Sequence, residues 1–490
     1  MHIIPLFVAI PLASAFFIPM VSRRWRNFPD IFGNLTTFIL FILSLTLIGS
    51  SGLYFMGGWR PPWGIALVLD GLSVLMLIIV NLVAFASTLF SISYMELYTS
   101  KLRYYSLFIL MIAGMNGVIL TGDLFNLYVF LEIAAIASYA LVGFGCEHEE
   151  LEAAFKYLVL GSVASTFILF GVALIYGSLG SLNMAHVAKM ISEKGMNNLL
   201  YFALGLFVAG FGLKAALVPF HAWLPDAHPS APAPISAMLS GVLIKALGVY
   251  AMIRILFNVF GFNSVISSIM IVLGLFSMVM GGLLALGQWD YKRLLAWSSI
   301  SQIGYVMIGI GLGTPLGILG GLFHLINHAT FKSLLFFTAG AIEYNTGTRQ
   351  LKEMGGLKEK MPVTGTSAFI ASLSISGIPP FNGFWSKLII VIACIEAGRY
   401  GLAISAIVIS IITLAYYMKV QKYAFFDRIK EKWTQLREVP LTMCIPMVLL
   451  SFLCLVMGLL LIPSIRNVVL DPAIDALTEG TRYSIKVLGK

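Results

Sequence analysis

Long apolar stretches, separated by short polar connectors, follow one another along almost the whole of this chain. A helix needs about 20 apolar residues to cross the hydrocarbon core of a bilayer, and about fourteen stretches meet this requirement. The pattern predicts an all-α integral membrane protein, with residues 1–490 forming a single polytopic domain. The predicted spans lie near residues 1–20, 31–55, 70–95, 105–121, 124–146, 157–180, 199–224, 233–258, 265–288, 294–312, 316–340, 363–396, 401–426 and 439–463.

The composition agrees with a membrane protein and argues against a soluble one. Of the 490 residues, 59% are hydrophobic and only 11% are charged, whereas about a quarter of a soluble domain is charged. The first apolar stretch follows Met1 and His2 directly, so no cleavable signal peptide is expected. The net charge of +9 is explained by the connectors, and no nucleic-acid partner is inferred from it.

Basic residues in the connectors predict the orientation of the chain. They concentrate in alternate connectors, which the positive-inside rule places in the cytoplasm. Both termini are therefore expected outside, in a multi-pass protein of the cytoplasmic membrane. The residues that carry this prediction are Arg23, Arg24, Arg26, Lys101, Arg103, Lys292, Arg293, Arg349, Lys352, Lys358, Lys360 and the basic residues of 419–437.

Several ionisable side chains lie inside the predicted spans rather than at their ends. Such a group costs about 2.5–3.5 kcal/mol on insertion scales, and it often marks an ion pathway. The alternative explanation is structural: these side chains would form buried ion pairs or isolated polar packing contacts. The candidates for ion translocation are Glu132, Lys214, Lys245, His324, His328, Lys332 and Lys387.

Three of these candidates, His324, His328 and Lys332, are spaced four residues apart. On a helix this spacing places them on one face, about 6 Å apart along the axis. That separation is too long for a direct hydrogen bond, but a few water molecules can bridge it. The stripe is therefore predicted to carry protons near the middle of the bilayer.

Two predicted spans contain residues that interrupt a helix. Lys214 precedes Pro219, and Lys387 follows Pro379 and Pro380. Proline removes a helical hydrogen bond, and at membrane depth the freed backbone is tolerated only inside protein or beside a water-filled cavity. Paired interrupted spans are typical of internal repeats with an ion site at their interface. The pattern therefore predicts ion transport, with helix breaks at the three prolines.

The chemistry of the candidates favours protons over metal cations. Hard cations prefer several oxygen ligands, whereas Glu132 is the clearest carboxylate within a span. Buried lysine loses its proton readily, and histidine titrates near neutrality. A carboxylate near a buried lysine would favour the charged lysine, so moving that partner away would favour proton release.

No residue pattern indicates a cofactor or a catalytic centre. The four cysteines, Cys146, Cys394, Cys444 and Cys454, form no CxxC pair, so neither an iron–sulfur cluster nor a zinc site is expected. The stretch HLINH has Leu325 where a metalloprotease helix needs glutamate. We therefore expect no cofactor, no metal, and no redox or hydrolytic site. A non-conducting structural membrane subunit is the alternative from another class.

Five stretches resemble the signatures of one membrane family: GDLFNLYVFLEIAAIASYALVGFG, LVPFHAWLPDAHPSAPAPISAMLSGVLIKALGVYAMIRI, YKRLLAWSSISQIGYVMIGIG, HLINHATFKSLLFFTAG and SISGIPPFNGFWSK. The family comprises the antiporter-like membrane subunits of respiratory complex I, Mrp-type cation/proton antiporters and membrane-bound hydrogenases. The resemblance covers residues 65–430. It implies fourteen transmembrane helices with two inverted five-helix repeats, over 104–260 and 264–426, each containing a broken helix.

The resemblance also implies a role for each candidate residue. Glu132 and Lys214 would form the coupled pair of the first half-channel, and Lys387 would belong to the exit half. Lys245 and the histidine–lysine stripe would connect the two halves.

The family offers two alternatives for the parent complex, that is, the multisubunit complex to which this chain would belong. The resemblance favours a subunit of a membrane-bound hydrogenase-like or related respiratory complex, which couples redox energy to ion transport. The D-type subunit of an Mrp sodium/proton antiporter is the second alternative. The implied partners are protons, with sodium as a second candidate ion, the lipid bilayer and other membrane subunits. Those subunits would be further antiporter-like chains or small Mrp-type chains.

Overall fold

The computed structural model describes residues 2–22, 25 and 27–489. Ten helices in this part of the chain are long and apolar enough to cross a membrane, and two further apolar helices, Leu6–Ser22 and Asn198–Lys214, are shorter. This architecture agrees with the mostly helical, multi-pass protein that the sequence predicts. Other predicted spans do not meet the same criterion because they are interrupted or carry polar side chains.

The helices and strands follow the chain in a simple order. They are α1 (Leu6–Ser22), α2 (Phe28–Leu45), β1 (Gly52–Phe55), β2 (Ala66–Leu69), α3 (Gly71–Tyr94), α4 (Lys101–Leu120), α5 (Leu124–Val142), α6 (His148–Leu179), α7 (Met184–Lys194), α8 (Asn198–Lys214), α9 (Leu224–Ser230), α10 (Ala233–Met238), α11 (Ala251–Ile253), α12 (Ser264–Leu286), α13 (Tyr291–Gly311), α14 (Pro315–Thr346), α15 (Leu357–Lys360), α16 (Pro362–Ser376), α17 (Asn382–Glu396), α18 (Tyr400–Val420), α19 (Leu441–Val456), α20 (Pro463–Val469), α21 (Asp471–Thr478) and α22 (Tyr483–Leu488). Three π-helical segments continue neighbouring helices: Leu239–Tyr250, Arg254–Val259 and Gln421–Phe426.

The predicted span over 31–55 is wrong in its second half. Helix α2 ends at Leu45, and β1 pairs antiparallel with β2 to form a hairpin. Gly49 has a φ of 75°, a conformation that glycine adopts at little cost and that ends the helical path. The described chain is therefore mostly helical rather than strictly all-α.

The helices differ in what surrounds them. The stretch Ala233–Val259 is entirely buried, and α14 is buried from Gly317 to Ile342. Large apolar side chains such as Phe155 and Ile411 are exposed on the outer helices. An apolar outer surface suits lipid, because hydrocarbon does not penalise apolar side chains. These two buried stretches can therefore carry polar groups away from lipid.

The first helix break lies between α8 and α9. Helix α8 ends at Lys214, and the irregular residues 215–223, which include Pro219, lead to α9. Within this break Ala216 has a φ of 54°, which is strained for a residue with a Cβ atom. The indole nitrogen of Trp223 donates a hydrogen bond to the carbonyl oxygen of Leu213 at 2.9 Å. The same carbonyl group accepts from the backbone N–H of Ala216 at 3.1 Å, so the side chain reinforces the turn that ends α8.

The second break lies between α16 and α17. Helix α16 ends at Ser376, and residues 377–381, which include Pro379 and Pro380, lead to α17. Gly377 ends α16 in the left-handed conformation, with a φ of 80°. Both breaks therefore contain the prolines from which the sequence predicts them.

Ion pairs join the connectors at one end of the helices, which we call the basic end. These pairs hold together connectors that are far apart in the sequence. They are Lys101–Asp30 at 2.9 Å, Lys156–Asp226 at 3.1 Å, Arg293–Asp226 at 3.3 Å and Arg349–Asp290 at 3.3 Å.

A buried ion pair holds the C-terminal helices at the opposite end. Arg254 donates from Nη1 and Nη2 to the two carboxylate oxygens of Asp70, at 2.7 and 2.8 Å. The guanidinium carbon of Arg254 also lies 5.5 Å from the ring centroid of Tyr483 in α22. Asn258, one turn along, donates to the carbonyl oxygen of Ala476 in α21 at 2.8 Å. Two adjacent turns thus fix the last helices of the described chain.

Candidate functional site

The first predicted residues meet where α6 packs against both α5 and α8. The ammonium nitrogen of buried Lys214 lies 3.8 Å from Oε1 of half-buried Glu132. It donates to the hydroxyl of Tyr139 at 3.1 Å. The hydroxyl of Ser165 donates to Oε1 of Glu132. A hydroxyl group thus contacts each member of the pair, and the two charged groups form an ion pair whose separation is too long for a direct hydrogen bond.

Lys245 lies in the π-helical segment Leu239–Tyr250 and is completely buried. Its ammonium group donates to the carbonyl oxygen of Ser240. The hydroxyls of Ser240 and Ser299 are hydrogen-bonded to each other at 2.6 Å. A π-helical turn shifts backbone groups out of the α-helical register and is frequent at functional sites. The apolar periodicity of the sequence does not reveal this widening.

The histidines of the α14 stripe are completely buried, but their surroundings differ. Nδ1 of His324 lies 2.9 Å from the hydroxyl of Ser386, and Nε2 lies 3.1 Å from Oε1 of Gln302. His324 thus joins α13 to α17. The ring centroid of His328 lies 6.5 Å from that of His324. Neither ring nitrogen of His328 has a hydrogen-bond partner among the described residues.

Lys332, the third member of the stripe, is held by neutral groups. Its ammonium nitrogen donates to the Ser298 hydroxyl at 2.5 Å and to the Leu295 carbonyl oxygen at 3.2 Å. It also donates to the Tyr417 hydroxyl at 3.2 Å. None of these partners carries a charge, so the lysine has no fixed anion beside it to hold it in the protonated form.

Lys387 lies in α17, shortly after the second break. Its ammonium nitrogen donates to the Ser410 hydroxyl at 3.2 Å and lies 4.8 Å from the ring centroid of Tyr305. Ser410 in turn donates to the carbonyl oxygen of Ser376 at 2.8 Å. One hydroxyl thus ties Lys387 to the residue at which α16 ends.

The structure gathers most of the predicted residues around His328. His324 and Lys332 lie one helical turn before and after it on α14. Lys245 contacts Ser240, which is hydrogen-bonded to Ser299, and the neighbouring Ser298 accepts from Lys332. His324 contacts Ser386, the residue before Lys387. The Glu132–Lys214 pair forms a separate group at the first break.

The two groups are joined by close packing between the first break and the π-helical segment. Ala215 follows Lys214, and Gly248 lies three residues after Lys245. A Cβ atom at Gly248 would come within 2.5 Å of the backbone of Ala215. The two backbones therefore lie in direct contact beside both lysines.

Sequence reasoning missed the polar side chains that hold the ionisable groups. In α13, Ser298 and Gln302 are four residues apart, and this spacing in an otherwise apolar helix is a usable signal. Tyr417 and Ser410 carried no such signal.

Sequence reasoning also missed His228, which is fully buried in α9 with no hydrogen-bond partner for either ring nitrogen among the described residues. Its position in a polar, proline-rich stretch made it look like part of a connector. Within the described ranges, no three His, Cys, Asp or Glu side chains come together as possible metal ligands.

Comparisons with known proteins identify the family of this chain. Residues 121–413 match the family described as "NADH:quinone oxidoreductase/Mrp antiporter, TM". The chain belongs to this antiporter-like family. Residues 61–105 of the antiporter-like protein also match the family "NADH-Ubiquinone oxidoreductase (complex I), chain 5 N-terminus". The resemblance predicted from the five sequence stretches is confirmed.

Relatives of the antiporter-like protein match it over most of their length. It is 35% identical over 484 residues to NADH-quinone oxidoreductase subunit N of Desulforudis audaxviator, covering 95% of this chain and 96% of that protein. It is 35% identical over 429 residues to the D-type Na(+)/H(+) antiporter subunit of Alkalihalophilus pseudofirmus, covering 86% of each.

Among solved structures, a chain of the membrane-bound sulfane sulfur reductase, described as an archaeal respiratory membrane complex, superimposes on the antiporter-like protein with a TM-score of 0.92. The two chains are 34% identical, and the match covers 100% of each.

Proposed function

We propose that this antiporter-like protein conducts protons across the membrane along its intramembrane ionisable side chains. The observation that carries the proposal is the cluster of Lys245, Lys332 and Lys387 with the α14 histidines, which is buried in the protein and has neutral hydrogen-bond partners. A lysine that serves only as a scaffold would need a carboxylate partner to offset its burial. Lysines held by hydroxyls can gain and lose protons in turn, because no charged partner is left unpaired.

The order of helices supports two internal repeats, over 104–260 and 264–426. In each, the third helix, α6 or α14, has 32 residues. The fourth long helix of each repeat is the interrupted one, formed by α8 and α9 in the first repeat and by α16 and α17 in the second. The fifth, over Ala233–Val259 or Tyr400–Phe426, has 27 residues. Each fifth helix also ends in a π-helical segment. We therefore propose that the repeats are the inverted five-helix units of a fourteen-helix fold.

Proton pumping in reconstituted vesicles tests the conduction proposal. The Lys332→Ala complex should pump about 100-fold more slowly, which is within the usual range for loss of a proton-transferring group. Lys189→Ala is the control, because Lys189 is 41% exposed on α7, outside the buried cluster. If the Lys332→Ala complex assembles and pumps at the normal rate, the conduction proposal fails and a structural role explains the chain better.

We propose a redox-coupled parent complex, of the membrane-bound hydrogenase-like or related respiratory type. The full-length match to the chain of the archaeal respiratory complex and to subunit N supports this choice. The second candidate is the D-type subunit of an Mrp sodium/proton antiporter, which the match to the D-type antiporter relative supports. Mass spectrometry of the natively purified complex distinguishes them. Co-purifying redox subunits would support the first candidate, and small Mrp-type subunits would support the second.

The proposed orientation places both termini outside the cell, in the cytoplasmic membrane. The ion-paired connectors of the basic end, such as those with Lys101 and Arg349, would then face the cytoplasm. Arg23, Arg24 and Arg26, which contribute to the same prediction, lie outside the described residues. Labelling of a single cysteine introduced beside Lys101 with an impermeant thiol reagent, in intact cells and in inverted vesicles, tests this orientation.

A further inference from the structure

A second group of ionisable side chains lies at the basic end, and the proposed pathway does not use it. The ammonium nitrogen of Lys292 lies 2.6 Å from Oε2 of Glu343, and it donates to the carbonyl oxygen of Ala231 at 3.1 Å. The Lys292 side chain is only 2% exposed, whereas that of Glu343 is 23% exposed. The Tyr94 hydroxyl donates to the same carboxylate oxygen at 3.1 Å. The pair thus joins a partly exposed carboxylate to a buried ammonium group.

His228 lies in the segment that Lys292 reaches, since Ala231 is three residues further along the chain. Its imidazole is completely buried, and neither ring nitrogen has a hydrogen-bond partner among the described residues. An unpartnered buried polar group is costly, so its retention calls for an explanation. Its ring centroid lies 4.8 Å from that of Phe336, which is one turn of α14 beyond Lys332. The hydroxyl of Ser236 donates to its carbonyl oxygen at 2.8 Å, and Ser236 lies four residues before Ser240, the residue that Lys245 contacts. His228 therefore lies between the segment that Lys292 reaches and the elements that carry the central lysines.

We propose that Glu343 and Lys292 form the proton-uptake site of the basic end and that His228 passes each proton to the central lysines. This inference rests on the proposed proton conduction. It assigns an uptake route that begins at the C-terminal end of α14 rather than at the first helix break.

Each step of the route transfers one proton and breaks one N–H or O–H bond as another forms. Lys292 gives a proton from its ammonium group to a ring nitrogen of His228, and Glu343, protonated from bulk water, restores the proton to Lys292. The imidazolium then gives its other N–H proton to neutral Lys245 or Lys332. Arg349, whose Nε lies 3.9 Å from Oε1 of Glu343, forms an ion pair with the carboxylate oxygen that Lys292 does not contact.

The route is tested by Glu343→Gln in the intact complex, reconstituted with the basic end facing the medium. Glutamine keeps the oxygen that accepts from Tyr94 but cannot take up a proton. We expect pumping to slow about tenfold or more, with a larger loss at high pH, where free protons are scarce. Imidazole added to the medium, as a diffusible proton carrier, should partly restore the rate.

Two further variants distinguish the loss of proton uptake from a general effect of removing a charge at the basic end. Asp226→Asn is the matched control, because Asp226 also pairs with basic residues at the basic end, through Lys156 and Arg293. It should leave pumping unchanged. His228→Phe retains a ring against Phe336, whose centroid lies 4.8 Å away. It should block pumping in an assembled complex, and imidazole should not restore the rate.

The outcomes separate this inference from the proposed function. The uptake route is overturned if Glu343→Gln and His228→Phe pump normally while Lys332→Ala does not. It is also overturned if Glu343→Gln slows pumping equally at every pH without rescue by imidazole, as a packing defect would. Normal pumping by Lys332→Ala would overturn the proposed conduction and the uptake route together.

Discussion

The ammonium nitrogen of Lys214 lies 3.8 Å from the nearest carboxylate oxygen of Glu132, beyond the range of a direct hydrogen bond. Tyr139 accepts a hydrogen bond from the lysine, and Ser165 donates one to the carboxylate. The carboxylate still favours the charged lysine, because opposite charges at this distance attract. The hydroxyls provide alternative partners when the pair separates. Both members of the pair thus have a hydroxyl neighbour at the point where α8 is interrupted.

Removal of the carboxylate should therefore uncouple this pair. Glu132→Gln keeps an oxygen that accepts from Ser165 but removes the charge that favours protonated Lys214. We expect pumping to fall about 100-fold in vesicles while the complex still assembles. Glu152→Gln is the control, because the Glu152 side chain is 53% exposed and pairs only with Lys156. Normal pumping by Glu132→Gln would contradict the coupling of the pair.

The geometry of the second break should be sensitive to a single methyl group. Gly377→Ala would strain a residue with a φ of 80° and place its Cβ 3.0 Å from Cδ of Lys387. Gly398 has a similar φ of 68° with no neighbouring atom within 4 Å, so Gly398→Ala isolates the backbone cost of about 1–2 kcal/mol. Both variants should lower the melting temperature. Only Gly377→Ala should also reduce pumping, and equal pumping by the two variants would count against a role for Lys387.

The members of the α14 stripe should contribute unequally. Lys332→Ala removes a group that holds three hydrogen bonds, whereas glutamine at His328 can still hold a water molecule but cannot carry a proton. We expect a larger loss of pumping from Lys332→Ala than from His328→Gln. The double variant His324→Leu with Lys332→Leu should abolish pumping. If an assembled complex with both leucines still pumps, the stripe serves packing alone.

The hydroxyl of Tyr417 should tune proton transfer at Lys332. It accepts from the lysine at 3.2 Å and is hydrogen-bonded to the Ser298 hydroxyl at 2.8 Å. Tyr417→Phe should slow pumping several-fold, because removing one hydrogen bond to a charged group costs about 1.5–3 kcal/mol. The adjacent Tyr416 is equally buried, but its hydroxyl donates to Thr413 at 3.3 Å and not to the lysine. Tyr416→Phe should leave the pumping rate unchanged, and an equal effect of both variants would indicate a packing defect.

The Asp70–Arg254 pair should make stability depend on pH. Burial raises the pKa of Asp70, but the Arg254 guanidinium outweighs this effect and holds the pKa below its usual range. A carboxyl group with a depressed folded-state pKa contributes stability above its unfolded pKa of about 3.9, and this is lost as the pH falls through the folded value. Thermal unfolding between pH 7 and pH 3 should show this loss, and Asp70→Asn should lack it.

Disruption of the same pair should be more costly than disruption of a more exposed one. Arg254→Met would leave the Asp70 carboxylate uncompensated, at a cost of about 3–5 kcal/mol. Asp30→Asn removes the pair with Lys101, whose side chains are 15% and 22% exposed, and should cost about 1 kcal/mol. Similar melting temperatures for the two variants would contradict the assignment of Arg254 as the residue that fixes the C-terminal helices.

The sequence alone determined the features that depend on length, polarity and proline. Apolar runs of about 20 residues predict helices that cross a bilayer, because a bilayer leaves no other way to satisfy the backbone of a single segment. Charges inside such runs identified all the members of the cluster around His328. Pro219 and Pro379 located both breaks, because proline lacks the N–H group that a helix needs. The hairpin of β1 and β2 was missed because β1 is short and apolar, so in the sequence it resembles a continuation of α2.

Only the tertiary structure decided which groups meet, because contacts between helices depend on the rotation and tilt of each helix and not on its composition. It brought Lys214 to Glu132, 82 positions away in the chain, and left Lys332 among hydroxyls rather than beside a carboxylate. It widened the helix at Lys245 into a π-helix, although apolar periodicity barely distinguishes that form from an α-helix. It also buried His228 against Phe336, because α9 folds back into the protein instead of remaining in a connector.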